Sequence, residues 1–264
     1  MTSDGGSRQT ALVTGASYGI GRELAVCCAR GGFDLVLVAR SGDKLRSLAA
    51  EIAGRYPVMA RVLEADLSKP EAPEAIAKEV SGEKDELSIL VNNAGFGANG
   101  AFASLAVDVQ RELLQVNVVA LTHLTRLLLP GMLARHRGRI LNVASTAAFQ
   151  PGPLMAVYYA SKAYVLSLSE ALSEELRGTG VTVTALCPGP TASGFRARAE
   201  MQGSRLFSRP AMDARSVAET GYAAMMAGKA IVIPGLRNRL LAQSVRISPR
   251  FVVRRIARWL NATA

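Results

Sequence analysis

The feature that most constrains this chain is a repeated alternation of short apolar runs with longer segments of helical periodicity. Seven runs are predicted strands: 10–14, 35–39, 60–64, 89–92, 140–144, 181–186 and 231–233. Helical periodicity between them predicts helices over 43–55, 70–80, 105–135 and 156–177. Continuous rather than alternating apolar runs are typical of strands covered on both faces, and parallel strands need crossover helices. We therefore predict an α/β, Rossmann-like, doubly wound parallel sheet of about seven strands in a single domain.

Length and composition fit that prediction, since 264 residues of which 49% are hydrophobic can bury a sizeable core. Three cysteines without a CxxC pair, and only two histidines, argue against a disulfide framework or a metal site. The polar residues 1–8 predict a flexible N-terminus and not a signal peptide. The uncharged stretches 140–161 and 178–195 contain prolines and hydroxyl residues, which disfavours a membrane span. We expect a cytoplasmic protein.

Positive charge is concentrated at the C-terminus. Glu219 is the last acidic residue, and 220–264 holds +8 of the net +10. The rest of the chain is nearly neutral, so we expect no nucleic-acid partner. We predict one main domain over 9–235 and a basic amphipathic extension over 236–264.

The extension predicts a helix that starts with Ser248 as N-cap and Pro249 in the first turn. Arg250, Arg254 and Arg258 share one face of that helix, while apolar residues that include Trp259 fall broadly on the other. The apolar face can dock on the protein's own body or on a neighbouring subunit. The alternative is peripheral contact with an anionic membrane surface, or with an acidic protein.

A glycine-rich turn follows the first predicted strand. The segment TGASYGIG places Gly15, Gly19 and Gly21 before a helical pattern. Glycines there let the backbone turn sharply and approach a pyrophosphate at the helix N-terminus. The spacing is GxxxGxG rather than GxGxxG, and a tight turn without a ligand is the alternative.

The end of the second predicted strand bears on cofactor choice. Arg40 stands there in place of the acidic residue that would bind the ribose of NAD. A basic side chain can hold the 2′-phosphate, with help from Ser17, so NADP(H) is favoured over NAD(H). A solvated surface arginine is the alternative.

The catalytic hypothesis rests on Tyr158, Lys162 and Ser145. Tyr158 and Lys162 are four residues apart, which places them on one face of a helix. We expect the ammonium to lower the phenol pKa, so that Tyr158 can exchange a proton with an alcohol oxygen near neutral pH. Ser145 ends the fifth predicted strand and can hydrogen-bond a carbonyl oxygen, although it can also merely cap a turn.

In these residues the sequence resembles the short-chain dehydrogenase/reductase family, of the type with about 250 residues. The resemblance covers about 9–235, and its motifs occur in order: TGASYGIG at 14–21, Asp66, NNAG at 92–95, Asn117, Ser145, YYASK at 158–162 and PGPT at 188–191. Relatives that use NADP often have a basic residue where this chain has Tyr18, so the cofactor prediction depends mainly on Arg40.

The resemblance implies a role for each matching residue. Ser145 would orient the carbonyl, Tyr158 would transfer the proton, Lys162 would bind the ribose and tune Tyr158, and Asn117 would hold a water of the proton relay. The implied cofactor contacts are Gly15, Ser17, Tyr18, Gly19, Ile20, Gly21, Arg40, Asp66, Leu67, Asn93, Ala94, Gly95, Tyr158, Lys162, Pro188, Gly189 and Thr191. Asn92 and the Pro188–Gly189 pair can also have purely structural roles.

We predict that 9–235 is a dinucleotide-binding catalytic domain and that the protein is an NADP(H)-dependent oxidoreductase that interconverts a carbonyl and an alcohol. The resemblance implies homodimers or homotetramers joined through 105–135 and 156–177. The alternative is a non-catalytic dinucleotide-binding sensor or scaffold on the same fold. A predicted pocket cover over 191–212 contains Phe195, Met201 and Phe207, and Phe149, Leu154 and Met155 precede Tyr158. These side chains weakly favour an apolar carbonyl substrate, although they can equally be packing residues.

Overall fold

The computed structural model describes residues 9–80, 86–194, 205 and 211–262. The predicted flexible segment 1–8 lies outside these residues, as does most of the predicted pocket cover.

A parallel sheet of seven strands forms the centre of the described structure, in the spatial order β3-β2-β1-β4-β5-β6-β9. Its strands are β1 (Gln9–Thr14), β2 (Asp34–Ala39), β3 (Ala60–Glu64), β4 (Glu86–Asn92), β5 (Gly138–Val143), β6 (Val181–Leu186) and β9 (Ile231–Val232). Two short strands, β7 (Thr191–Ala192) and β8 (Met212–Asp213), pair in parallel outside it. The strand order reverses between β1 and β4, which is where ligands bind in sheets of this kind.

Helices cover both faces of this sheet. They are α1 (Gly19–Arg30), α2 (Gly42–Arg55), α3 (Ala72–Val80), α4 (Val107–Leu114), α5 (Leu121–Ala134), α6 (Ala156–Glu175), α7 (Ala214–Met226), α8 (Leu236–Ile247) and α9 (Arg250–Asn261). One core cluster joins the sheet to α1, α2 and α7, and the other joins it to α3 and α5. Because both faces are covered, β2 is buried at every position, as its continuous apolar run predicts.

The predicted strands are confirmed within a few residues, but the predicted helix over 105–135 is not continuous. A π-helical turn, Gln115–Ala120, separates α4 from α5 and contains Asn117. A π-turn inserts one extra residue into a helix, so apolar spacing alone does not reveal it.

The predicted start of the last helix is wrong by one residue. Pro249 is the N-cap of α9, and α9 begins at Arg250. Ser248 instead ends α8, where its Oγ donates a hydrogen bond to the carbonyl of Ser244 over 2.8 Å. The serine hydroxyl is therefore used by the preceding helix, which the local sequence does not show.

Within the described residues, the helical run 107–134 is long and apolar enough to cross a membrane by length and composition. In the most apolar stretch of 18 residues within this run, 39% of the stretch is buried. Leu124, Leu128 and Met132 belong to the core between α5 and the sheet. The same composition is typical of a crossover helix in the core of a soluble fold.

Candidate active site

A cleft opens at the carboxyl ends of the central strands. It is lined by residues that directly follow β1, β2, β3, β4, β5 and β6. Most of the predicted site residues line it: Gly15, Ser17, Tyr18, Ile20, Arg40, Asp66, Leu67, Asn93, Ala94, Gly95, Ser145, Tyr158, Lys162, Pro188, Gly189 and Thr191. Gly19, Gly21 and Asn117 do not line it, and each supports a neighbour instead.

The glycine turn after β1 is built for close backbone packing. Gly15 has φ +66°, and a Cβ there would lie 2.7 Å from Nδ2 of Asn93. That amide donates hydrogen bonds to the carbonyls of Thr14 and Gly15. A Cβ on Gly21 would meet the same amide at 2.2 Å, and one on Gly19 would meet Cβ of Ser193 at 2.7 Å.

This turn leaves the N-terminus of α1 facing the cleft. Its N-cap, Tyr18, makes no side-chain cap hydrogen bond, and the first turn of the helix contains no acidic residue. Helix N-termini of this kind offer backbone N–H groups and a partial positive charge to an anion. The site therefore fits the pyrophosphate of a dinucleotide.

Beyond the turn, Arg40 and Asp66 line the part of the cleft that follows β2 and β3. Nη1 of Arg40 lies 3.6 Å from Oε1 of Glu112 on α4, and both side chains are partly exposed. Burial alone would raise the pKa of Asp66, but hydrogen bonds from Ser68 and the positive charges of Arg40 and Lys69 lower it below its usual value. Sequence reasoning missed Glu112, because the pairing joins residues 72 positions apart.

The NNAG segment divides its side chains between structure and cleft. The amide of Asn92 donates to Oγ1 of Thr125 and to Oδ1 of Asn142, so it ties β4 to α5 and β5. The backbone amides of Asn93 and Ala94 both donate to Oγ1 of Thr14. The structural reading of Asn92 is thus confirmed, while the segment after it borders the cleft.

Ser145 and Tyr158 meet at the deep end of the cleft through a hydrogen bond between their side chains. Oγ of Ser145 also accepts a hydrogen bond of 3.1 Å from the amide of Ala147, at the start of a short 3₁₀ turn, Thr146–Phe149. Ser145 therefore both caps a turn and presents its hydroxyl beside the phenol.

The expected lowering of the Tyr158 pKa is wrong for this structure. Burial raises the pKa well above its usual value, and the hydrogen bond to Ser145 offsets only part of that effect. Burial likewise lowers the pKa of Lys162 to about 8, with a small opposing effect from Cys187. Nζ of Lys162 donates a 2.7 Å hydrogen bond to the carbonyl of Val143 and lies 5.9 Å from the ring centroid of Tyr158. The ammonium is too far away and too desolvated to overcome burial of the phenol.

Asn117 lies behind the cleft in the π-turn, where it is fully buried. Its amide exchanges two hydrogen bonds with the backbone of Phe96, and Nδ2 lies 3.1 Å from Oγ of Ser161. A Cβ on Gly95 would lie 3.0 Å from Oδ1 of Asn117 and 3.4 Å from Nζ of Lys162. Asn117 therefore positions the wall of the cleft next to the lysine.

The C-terminal helices support the opposite wall. A Cβ on Gly189 would lie 2.5 Å from Nδ2 of Asn238 on α8, so α8 packs directly against the Pro188–Gly189 border. On α9, Oδ1 of Asn261 accepts a 3.2 Å hydrogen bond from the hydroxyl of Tyr159, and Nδ2 donates to the carbonyl of Pro153. Sequence reasoning treated this extension as separate from the site and missed Tyr159 and Asn261.

The substrate end of the cleft is largely apolar. Phe96, Val116, Met155 and Tyr159 line it, together with the polar side chain of Gln150. Met155 was predicted, whereas Phe149 and Leu154 are not among the lining residues. Phe195, Met201 and Phe207 lie outside the described residues.

A family model described as short chain dehydrogenase matches residues 9–203 of the chain. The very-long-chain 3-oxoacyl-CoA reductase of Phaeosphaeria nodorum is 39% identical over 179 residues, which cover 66% of this chain and 52% of that protein. The enzyme of the same name from Rattus norvegicus is 35% identical over 182 residues, covering 67% and 58%. The chain thus spans about half the length of the curated relatives it matches.

Solved structures are similar over nearly the whole chain. A short-chain dehydrogenase from Sphingobium yanoikuyae in complex with NADPH is 32% identical with a TM-score of 0.82, covering 90% of this chain and 93% of that one. The bulky-bulky ketone specific alcohol dehydrogenase from Comamonas testosteroni is 30% identical with a TM-score of 0.77, covering 91% and 93%.

Proposed function

Because the chain belongs to the short-chain dehydrogenase family, we propose that it interconverts a carbonyl and an alcohol with NADP(H). The single observation that best supports this proposal is the hydrogen-bonded pair of Ser145 and Tyr158 at the deep end of the cleft, with Lys162 on the same helix as the tyrosine. A dinucleotide sensor without catalysis would need the cleft but not this pair.

In the proposed reduction, the hydroxyl of Ser145 donates a hydrogen bond to the substrate carbonyl oxygen as that oxygen gains charge. Tyr158 donates its phenolic proton to the same oxygen, and in the oxidation it takes the proton back. NADP(H), when bound, supplies or accepts the hydride at the adjacent carbon. Tyr158 is protonated at neutral pH and can therefore donate, although the burial that raises its pKa also makes the phenol a weaker acid.

Lys162 has two tasks in this proposal. Its ammonium donates one hydrogen bond to the carbonyl of Val143, at the end of β5, and keeps two further N–H donors for the ribose of the cofactor. It also places a positive charge near the phenolate that remains after proton transfer. Asn117 keeps the backbone at Phe96 and Gly95 in place beside the lysine.

The preference for NADP(H) is supported by Arg40, which lines the cleft after β2 with no acidic residue at the end of that strand. A 2′-phosphate there would gain a charge-assisted hydrogen bond. The similar short-chain dehydrogenase from Sphingobium yanoikuyae was solved in complex with NADPH, which is consistent with this choice.

The proposed substrate is a bulky apolar carbonyl compound, because Phe96, Val116, Met155 and Tyr159 line the substrate end. Two relatives named 3-oxoacyl-CoA reductase and a similar structure named for bulky ketones indicate which compounds to assay first. Long-chain 3-oxoacyl thioesters and bulky aryl ketones are therefore the leading candidates.

The test is a steady-state assay of the full chain with these compounds and with each nicotinamide cofactor, followed by the absorbance of the reduced nicotinamide. We expect turnover with NADPH, and we expect Tyr158→Phe to lower kcat by at least 100-fold with little change in the Kd for NADPH. Tyr164→Phe is the matched control, since this third tyrosine of α6 hydrogen-bonds Oγ1 of Thr122 at the surface. A Tyr158→Phe variant that keeps more than a tenth of the wild-type kcat would refute the proposed mechanism.

A further inference from the structure

Helix α8 exposes an apolar ridge to solvent. Leu236, Leu240 and Ile247 are 72%, 62% and 88% exposed. Residues four and eleven positions apart fall within about 40° of each other on a helix, so these three side chains share one face. Ala242, which is buried, points to the opposite side and attaches the helix to the body.

Helix α9 continues the same pattern. It is attached by Val253, Ala257 and Asn261, which are buried and recur every fourth residue. Phe251, Ile256 and Trp259 are more than half exposed, whereas Val252 and Leu260 are partly buried. The apolar face of α9 is therefore only partly used in docking on the protein itself.

Arginines surround these exposed apolar side chains. All seven arginines of the extension are exposed: 237, 239, 246, 250, 254, 255 and 258. No acidic residue follows Glu219 in the sequence. Apolar side chains interleaved with unopposed positive charge match the boundary between anionic lipid headgroups and acyl chains.

From these features we propose that α8 and α9 form a docking surface for an anionic lipid membrane. The apolar ridge and Trp259 enter the headgroup boundary, and the arginines contact lipid phosphates. The inference does not depend on the reaction that the cleft performs.

A second copy of this chain fits the surface less well. Symmetric dimers bring the same patch of both subunits together, so the seven arginines of one copy would face those of the other. An anionic membrane instead offers negatively charged headgroups and an apolar acyl-chain region over the whole area of both helices.

The surface lies next to the substrate end of the cleft. Asn238 of α8 packs on Gly189, and Asn261 of α9 bonds to Tyr159. A membrane-docked chain would therefore hold that end of the cleft close to the lipid.

Trp259 provides a direct readout, because it is the only tryptophan in the chain. The full-length protein is titrated with vesicles of phosphatidylcholine alone and with vesicles that contain phosphatidylglycerol, at low and moderate salt. We expect a blue shift of the emission and co-flotation only with the anionic vesicles, weakened by salt. An unchanged emission together with no flotation would overturn the proposal, as would equal binding to both vesicle types.

The double variant Leu240→Ser/Ile247→Ser removes part of the ridge without touching the core. We expect its partition onto anionic vesicles to fall at least tenfold. The control Met59→Ser/Phe102→Ser removes two equally exposed apolar side chains from other surfaces and should bind like the wild type. Equal loss in both variants would refute the assignment of the surface.

Two double variants that each remove two arginines complete the test. Arg250→Gln/Arg254→Gln should weaken vesicle binding at least tenfold, whereas Arg55→Gln/Arg177→Gln, with the same net charge, should not. Light scattering of the ridge variant tests whether a second copy of the chain covers this surface instead. A change of oligomeric state would show that the ridge joins copies of the chain, and it would overturn the membrane assignment.

Discussion

Arg40 meets the carboxylate of Glu112 at 3.6 Å on the rim of the cleft. A bound 2′-phosphate has to share or replace that partner. An exposed ion pair contributes at most about 1 kcal/mol, so its loss costs the free protein little. Glu112 therefore competes only modestly with the cofactor phosphate for Arg40.

This geometry predicts opposite effects for two substitutions. Glu112→Gln should tighten NADPH up to about fivefold by freeing Arg40, with a smaller effect on NADH. Arg40→Asp should weaken NADPH and reverse or flatten the preference. Fluorescence titration of the wild type and both variants with each reduced cofactor gives the six dissociation constants. Equal constants for NADPH and NADH in the wild type would contradict the proposed preference.

Lys162 links burial to a pH dependence of stability. Burial lowers its pKa from 10.5 to about 8, so between these values the unfolded chain binds a proton that the folded chain has released. The free energy of unfolding must then rise with pH in this window, because folding no longer buries a charge. Relative to Lys162→Met, the wild type should gain about 3 kcal/mol between pH 8 and 10.5.

Urea unfolding of the two proteins at several pH values measures this difference. Taking the difference removes the contributions of groups that do not interact with Lys162. Cys187 cancels only in part, because burial raises its pKa while Lys162 lowers it. Parallel stability curves would mean that Lys162 keeps its ordinary pKa in the folded protein.

At the scale of elements, Asn261 hydrogen-bonds the end of α9 to the substrate side of the fold. Asn261 is completely buried and bonds to Tyr159 and Pro153, and its carbonyl accepts a hydrogen bond from Asn99. Asn261→Ala would leave the buried partners of its side chain unsatisfied and should lower the free energy of unfolding by about 1–3 kcal/mol.

Denaturant unfolding of the wild type, of Asn261→Ala and of the control Ser248→Ala measures this loss of free energy. That control loses only an exposed bond to Ser244, and its stability should change by less than about 0.5 kcal/mol. If both variants are equally stable, α9 is not held through Asn261.

For the whole molecule, we predict a homodimer through the faces of α4, α5 and α6. Large apolar side chains lie exposed on this part of the surface: Leu114, Val119, Leu127 and Tyr164. Along α6, Val165 lies in the core while Ala171 is exposed, so only part of this helix is available to a partner. Val119→Arg should yield monomers in light scattering, and Met59→Arg, before β3, should not. A wild-type protein that is monomeric at micromolar concentration would exclude this interface.

The sequence by itself determined the layered fold and most of the cleft. Continuous apolar runs specify strands covered on both faces, and residues that directly follow parallel strands must meet at one edge of the sheet. For that reason Gly15, Arg40 and Ser145 could be assigned to one site before any coordinates.

Tertiary structure alone decided what surrounds those residues. Burial reversed the expected direction of the pKa shift of Tyr158, and the π-turn placed Asn117 behind the cleft. Long-range packing brought Glu112 to Arg40 and Asn261 to Tyr159. Desolvation and contacts between residues far apart in sequence depend on how the elements pack together. A local pattern of residue types contains neither quantity.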